Sequence, residues 1–179
     1  MTGMSSFPAS TGRPALDLCN TRLGDRDLLA GPDDLGRWFV VAALADDAPR
    51  VTRSELEAAR VLRDGVRAAL LAEDGPRLAS LAEEWLDRAP GCLKVEPATL
   101  QPRFAPAAHT SCCLLVEAVL DALDIARDAP GRVRECANER CPVLFLDTSR
   151  NGSRRWCSME RCGARAKASA YYRRHRAGP

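Results

Sequence analysis

Lysine is nearly absent from this 179-residue chain: of its 26 basic residues only Lys94 and Lys167 are not arginine. Long apolar runs are missing as well. The longest candidate, CCLLVEAVLDALDIA, is broken by Glu117, Asp121 and Asp124, well short of the roughly 18 to 20 apolar residues that span a bilayer. A membrane role is not expected. The opening MTGMSSFPASTGRPALDLCN lacks a charged region followed by an apolar one, so no secretory signal is read and a cytoplasmic location is the expectation. No repeat or low-complexity segment is present, no nucleophile has an identifiable base, and the H-x-E partner of zinc deaminases is missing. Enzymatic activity is therefore not expected.

Hydrophobic residues make up 46% of the chain and charged residues 28%, enough apolar surface for a core and no signature of disorder. The length accommodates one domain with a small appendage. Charge is distributed unevenly. From Gly131 onward there are twelve basic residues against four acidic, a balance of +8, which leaves 14 basic and 20 acidic before it, a balance of −6. Such an asymmetry points to a polyanion-binding surface on the basic part.

Residues 1–12 read as a loose, small and polar N-terminus, and residues 13–130 as a mainly helical domain. PALDLCNTR lacks helical periodicity and is read as a short strand or extended segment. Helices are predicted over GPDDLGRWFVVAAL, over VTRSELEAARVLRDGVRAALLAE with a Thr52/Glu55 capping box, over PRLASLAEEWLDRA, and over TSCCLLVEAVLDALDIARDA. The proline-bounded CLKVEP and LQPRFAP read as short strands. Trp38 and Trp85 fall on apolar helix faces and are assigned to core packing, and His109 to the start of the last of these helices. The fold class is α+β, mainly α with a few short β segments.

The eight cysteines divide into two sets. Cys19, Cys92, Cys112 and Cys113 are scattered among apolar residues, as buried free thiols usually are. Cys136, Cys141, Cys157 and Cys162 form Cys-x4-Cys-x15-Cys-x4-Cys within 27 residues. Four soft ligands in two local pairs are what a closed tetrahedral zinc site requires, and four thiolates leave no open position for a catalytic metal. The pairs are not C-x-x-C, which disfavours a redox dithiol. A module of residues 131–179 with so few large apolar side chains needs a metal staple to fold. Between the pairs, Val143 to Leu146 read as a strand and Asn151-Gly152 as the turn of a hairpin returning toward Trp156. Ser158 reads as the N-cap of a terminal helix. Knuckle, hairpin and helix in that order suggest a treble-clef-like finger. Arg150, Arg154, Arg155, Arg161, Arg165, Lys167, Arg173, Arg174 and Arg176 are the candidate nucleic-acid contacts.

The stretch FLDTSRNGSRRWCSMERCGARAKASAYYRRHR resembles the CGNR zinc finger of bacterial transcription regulators. ALDLCNTR followed by LLAGPDDLGRWF is similar to the start of the ABATE domain that precedes that finger in a stress-induced group. The resemblance implies one structural zinc ion on Cys136, Cys141, Cys157 and Cys162, double-stranded DNA as the partner of the C-terminal part, and a sensory N-terminal part. Asn20, Thr21 and Arg22 match the family's Asn-Thr motif and are candidates either to hold a small-molecule ligand or to brace a turn. One departure stands out: the family's Asn is Ala164 here, in Cys162-Gly163-Ala164-Arg165. Two other readings stay open at this stage, a protein-interaction module contacting the transcription machinery and a small-molecule-binding protein without DNA binding.

Overall fold

The computed structural model describes residues 7, 8, 10–99, 102–107 and 110–176. Helices α1 (Pro14–Cys19), α2 (Pro32–Val41), α3 (Arg53–Ala72), α4 (Gly75–Arg88) and α5 (Ser111–Asp128) build the helical part. Among the described residues no helix is long and apolar enough to cross a membrane. The predicted helices over the last four of these segments are present, and their ends follow local chemistry. Thr52 accepts from the Glu55 N–H while Glu55 accepts from the Thr52 N–H (3.2 and 2.7 Å), a reciprocal cap that satisfies two otherwise orphaned donors. Asp74 caps α4 by accepting from the Arg77 N–H and Thr110 caps α5 by accepting from the Cys113 N–H, each without a reciprocal bond.

The segment expected to be a strand, PALDLC, is helical instead. No local side chain caps it. The cap comes from α5, where Asp121 accepts from the Ala15 N–H at 3.0 Å and from Arg13 Nε at 2.6 Å. Pro14 at the first position suits the helical φ, and Ala15, Leu16, Leu18 and Cys19 are all fully buried. With four of six residues buried and only Pro14 and Asp17 partly exposed, the segment is too short to show a helical period in sequence. Upstream, Ser10 Oγ and the Thr11 N–H donate to Asp17 (2.6 and 2.7 Å), tying the entry segment to α1.

Two-residue strands β1 (Arg22–Leu23) and β2 (Arg26–Asp27) follow α1 and pair antiparallel. Their turn delivers Asp27 to Arg63, which is 1% exposed. Arg63 donates two bonds to the Asp27 carboxylate (2.7 and 2.9 Å), one to Asp64 (3.0 Å) and one to Thr21 Oγ1 (3.3 Å). Burial, the largest single influence, would raise the Asp27 carboxyl, but the Arg63 hydrogen bonds, the Leu29 N–H and the charges of Arg63 and Arg60 together outweigh it and hold Asp27 below the usual carboxylate range. The expected strands near Pro90 are also present: β3 (Gly91–Val95) and β4 (Pro102–Pro106) form a hairpin with Leu93 opposite Phe104. Phe104 turns into the core, whereas Leu93 is 73% exposed.

Strands β5 (Val133–Glu135) and β6 (Leu144–Leu146) form an antiparallel hairpin with Val133 opposite Leu146 and Glu135 opposite Leu144. Here the sequence expectation is corrected. β6 pairs with the strand before the first cysteine pair, not with a strand after Asn151-Gly152. The hairpin also packs on the helical part. Leu144 is fully buried in the same apolar cluster as Leu16, Phe39, Leu62 and Ile125, with Val133 and Leu146 against it.

Candidate metal centre

The β5–β6 hairpin is closed by the first cysteine pair. The Cys136 N–H donates to the Val143 carbonyl (3.0 Å) and the Cys141 N–H to the Asn138 carbonyl (2.7 Å), so residues 136 to 141 turn back on themselves with both thiols on one side. After β6 the chain is organised by Asp147, whose side chain is fully buried. It accepts from the Ser149 hydroxyl (2.6 Å), the Ser149 N–H (2.9 Å) and the Arg154 N–H (3.0 Å). Those donors, the Ser149 hydroxyl foremost, hold its carboxyl below the usual range. Gly152 occupies a left-handed turn at φ 60°, and a Cβ there would lie 2.8 Å from an Arg132 guanidinium nitrogen. The turn signal at Asn151-Gly152 is thus genuine, but it serves this loop and not a hairpin.

The loop carries the chain back to the knuckle, where the Ala137 N–H donates to the Arg155 carbonyl at 2.8 Å. That contact delivers Cys157 beside Cys136, and the Cys157 N–H points at Cys136 Sγ (3.5 Å). Ser158 then caps the terminal helix, as expected, accepting from the Arg161 N–H at 3.3 Å. The helix opens with a π-helical turn, Met159–Gly163, before continuing as α6 (Ala164–Arg176). The Ser158 carbonyl accepts from both the Cys162 and Gly163 N–H groups at 3.0 Å. This widened turn explains the x4 spacing. Residues five apart on a regular α-helix do not share a face; Cys157 lies outside the helix, and the π turn brings Cys162 round to it. Gly163 is needed for closeness. A Cβ there would meet Met159 Sδ at 3.1 Å and Trp156 Cδ1 at 3.3 Å.

The four ligand sulfurs lie within 4.8 Å of one another. Cys141 and Cys157 are 3.6 Å apart and Cys157 and Cys162 3.7 Å, far beyond the roughly 2.05 Å of a disulfide. A tetrahedron of sulfurs each about 2.3 Å from zinc has an edge of about 3.8 Å, so the spacing fits the metal. The protonation chemistry fits too. Burial and the three neighbouring thiols push Cys157 well above the usual thiol range. At Cys136 burial raises the thiol, but the N–H donors of Cys157 and Asn138 together with the Cys157 and Cys162 thiols outweigh it and lower it. Four thiolates are compatible in this volume only around a cation. A fully thiolate-ligated zinc holds the knuckle to the helix and has no free position for substrate.

These ligands and their spacing coincide with a known module: residues 132–175 match the family model of the CGNR zinc finger. The C-terminal part is a CGNR zinc finger. No curated protein matches the chain. The finger's match begins inside the segment that enters β5, so it includes the hairpin buried against the helical part. Ala164, where the CGNR signature has asparagine, is exposed at the start of α6, and an amide there would face solvent.

The other candidates distribute differently. Arg150, Arg155, Arg161, Arg165 and Lys167 are exposed, and among the described residues none makes an ion pair or side-chain hydrogen bond. Arg154 is engaged inside the finger. Its Nε donates to the Trp156 carbonyl (2.8 Å), Nη2 to the Cys157 carbonyl, and its guanidinium lies 5.0 Å from the Phe145 ring centre. The side chains of Arg173, Arg174 and Arg176, and all of His109, lie outside the described residues. Asn20 is 2% exposed. Its Nδ2 donates to the Leu144 carbonyl (3.0 Å) and its Oδ1 accepts from the Leu144 N–H (2.7 Å). It therefore pairs with β6 as a neighbouring strand would, and of its two suggested roles the bracing one is what the geometry serves. Thr21 is buried with its hydroxyl on the Leu18 carbonyl (2.7 Å), and Arg22 reaches Asp64 (3.0 Å). Sequence reasoning missed Asp147, although the D-x-S spelling is an Asx-turn signature. It also missed the Asn20 to Leu144 pairing, for which a single sequence carries no signal.

Proposed function

We propose that the chain is a bacterial cytoplasmic transcription regulator that binds double-stranded DNA through the finger and α6, with the helical part as its sensory half. One observation carries this reading: Arg150, Arg155, Arg161, Arg165 and Lys167, all within the finger and its terminal helix, are exposed and without ion-pair partners among the described residues, and the metal site has no use for them. Unneutralised guanidinium groups on a rigid frame are what phosphate recognition requires. The form of α6 supports the same reading. It packs chiefly on its own π turn, and an isolated helix of 13 residues is marginal in water, so a partner along its length would stabilise it. The likeness of the N-terminal residues to the ABATE domain, and with it a stress-linked signal and a small-molecule ligand, belongs to this proposal.

Fluorescence anisotropy with a labelled 20-base-pair duplex tests it. If the five exposed cations each neutralise one phosphate, log K falls with log[salt] with a slope of about −4 to −5. Arg161→Ala reduces that slope by about 1. Absence of duplex binding at 50 mM salt by zinc-loaded protein refutes the proposal.

A further inference from the structure

A groove of about 680 Å³ runs between the cysteine knuckle and α6. Asn138, Glu139 and Arg140 line it from the knuckle, Arg165 and Tyr172 from the helix, and Trp156 from the segment before Cys157. The small side chains Ala166, Ala168 and Ser169 on the helix leave the space open. Its volume lies within the range of small-molecule sites and exceeds what a single bound ion needs.

The chemistry of the lining is not that of a phosphate track alone. Two aromatic rings line the groove; Tyr172 is 66% exposed and meets Tyr171 only edge-on at 5.8 Å, which leaves ring surface for a stacking partner. The Arg155 guanidinium lies 5.3 Å from the Trp156 ring centre. Glu139 would repel a phosphate, but a carboxylate accepts from exocyclic base amines. Asn138 Oδ1 takes the Arg140 N–H at 3.1 Å, and its amide N–H groups have no partner among the described residues. Carboxylate and amide suit a base edge, Arg140 and Arg165 suit the flanking phosphates, and the rings suit a base face. Paired bases in a duplex cannot present that face. From this lining we infer that the groove receives one unpaired nucleobase stacked on Trp156 and Tyr172, so that the finger prefers DNA containing an unpaired nucleotide to an uninterrupted duplex. The inference rests on the nucleic-acid reading above and specifies what that surface recognises.

The zinc-loaded protein is titrated with a 20-base-pair duplex and with the same duplex carrying a three-cytosine bulge, whose exocyclic amine suits the Glu139 carboxylate. Trp38 and Trp85 are 1% and 5% exposed, so quenching by a stacked base reports on Trp156. The bulged duplex is expected to bind about tenfold more tightly and to quench tryptophan emission, whereas the plain duplex does not quench. Tyr172→Ala, at an exposed position that does not threaten folding, lowers the ratio of bulged-duplex to plain-duplex affinity to about threefold or less. Trp156→Phe keeps a stacking ring and retains the preference. Equal affinity for both duplexes without quenching overturns the inference and leaves duplex binding standing. Failure to bind either DNA overturns the function proposal and this inference with it.

Discussion

Replacing Asn20 by alanine removes a contact 124 positions distant in sequence, and its effect follows from the geometry of Leu144. The two hydrogen bonds at 2.7 and 3.0 Å satisfy both backbone groups of a residue whose side chain is fully buried. Alanine leaves the Leu144 N–H and carbonyl without a partner in a site that water does not reach. An orphaned buried group costs about 1–3 kcal/mol, so two together cost about 3 kcal/mol once partial relaxation is allowed. For a chain of this size each kcal/mol moves the melting temperature by about 2–4 °C, which gives a drop of roughly 6–12 °C. With an m-value of about 2 kcal/mol/M the urea midpoint falls by about 1.5 M. Asn20→Asp is expected to be no milder, because its carboxylate still accepts from the Leu144 N–H but faces the Leu144 carbonyl. Urea unfolding of zinc-loaded protein, followed by far-UV circular dichroism, checks the magnitude. Loss of less than 0.5 kcal/mol at unchanged m would refute the argument, since it would mean that β6 is not held by this amide.

Metal analysis is expected to find one zinc per chain. Cys141→Ser loses it and Cys92→Ser, at an exposed thiol outside the cluster, keeps it; cobalt substitution followed by thiolate charge-transfer absorption reads both. Asp27 has a folded-state pKa below its value in the unfolded chain, so its contribution is complete above about pH 4 and disappears as pH falls through the folded value. Asp27→Asn therefore lowers stability at pH 7 by roughly 1–2 kcal/mol, limited by solvent screening of a carboxylate that is about one-third exposed. Urea midpoints between pH 7 and pH 3 should show the gap from wild type closing on the acid side; a gap that stays constant contradicts the ion pair.

What the sequence made legible was local. The capping box at Thr52, the amphipathic period of α3 and the proline and glycine that end α4 are determined within a few residues, and each helix appears where its pattern lies. The zinc ligands were legible because this site draws all four ligands from one residue type and the spacing repeats. The misses have the opposite character. α1 is capped by Asp121 from 106 positions away, so its own residues carry no cap, and one turn and a half with a single polar residue is too short to show a period. Val143 to Leu146 read correctly as a β-forming run, but its strand partner was assigned from the nearest turn signal. In the structure that signal closes the Asp147 loop, and the partner is Val133–Glu135. Arg154 was grouped with the surface arginines because composition cannot separate a guanidinium bound to the Trp156 and Cys157 carbonyls from one facing solvent.

Leu144 has a consequence for how the finger can be used as a part. A family boundary at residue 132 suggests a cassette that can be cut out and joined to another protein. Excision there would strip Leu144 of the apolar cluster in which it is buried, reached through the packing of β6 on α1 and β5 on α3, and strip its backbone of Asn20. The strand that holds Cys141 in place would be exposed along the face it now buries. The finger is accordingly not portable: a chimera carrying it must also carry the surface that receives β6, and inheritance of the two halves as a pair follows from packing before any question of regulation arises.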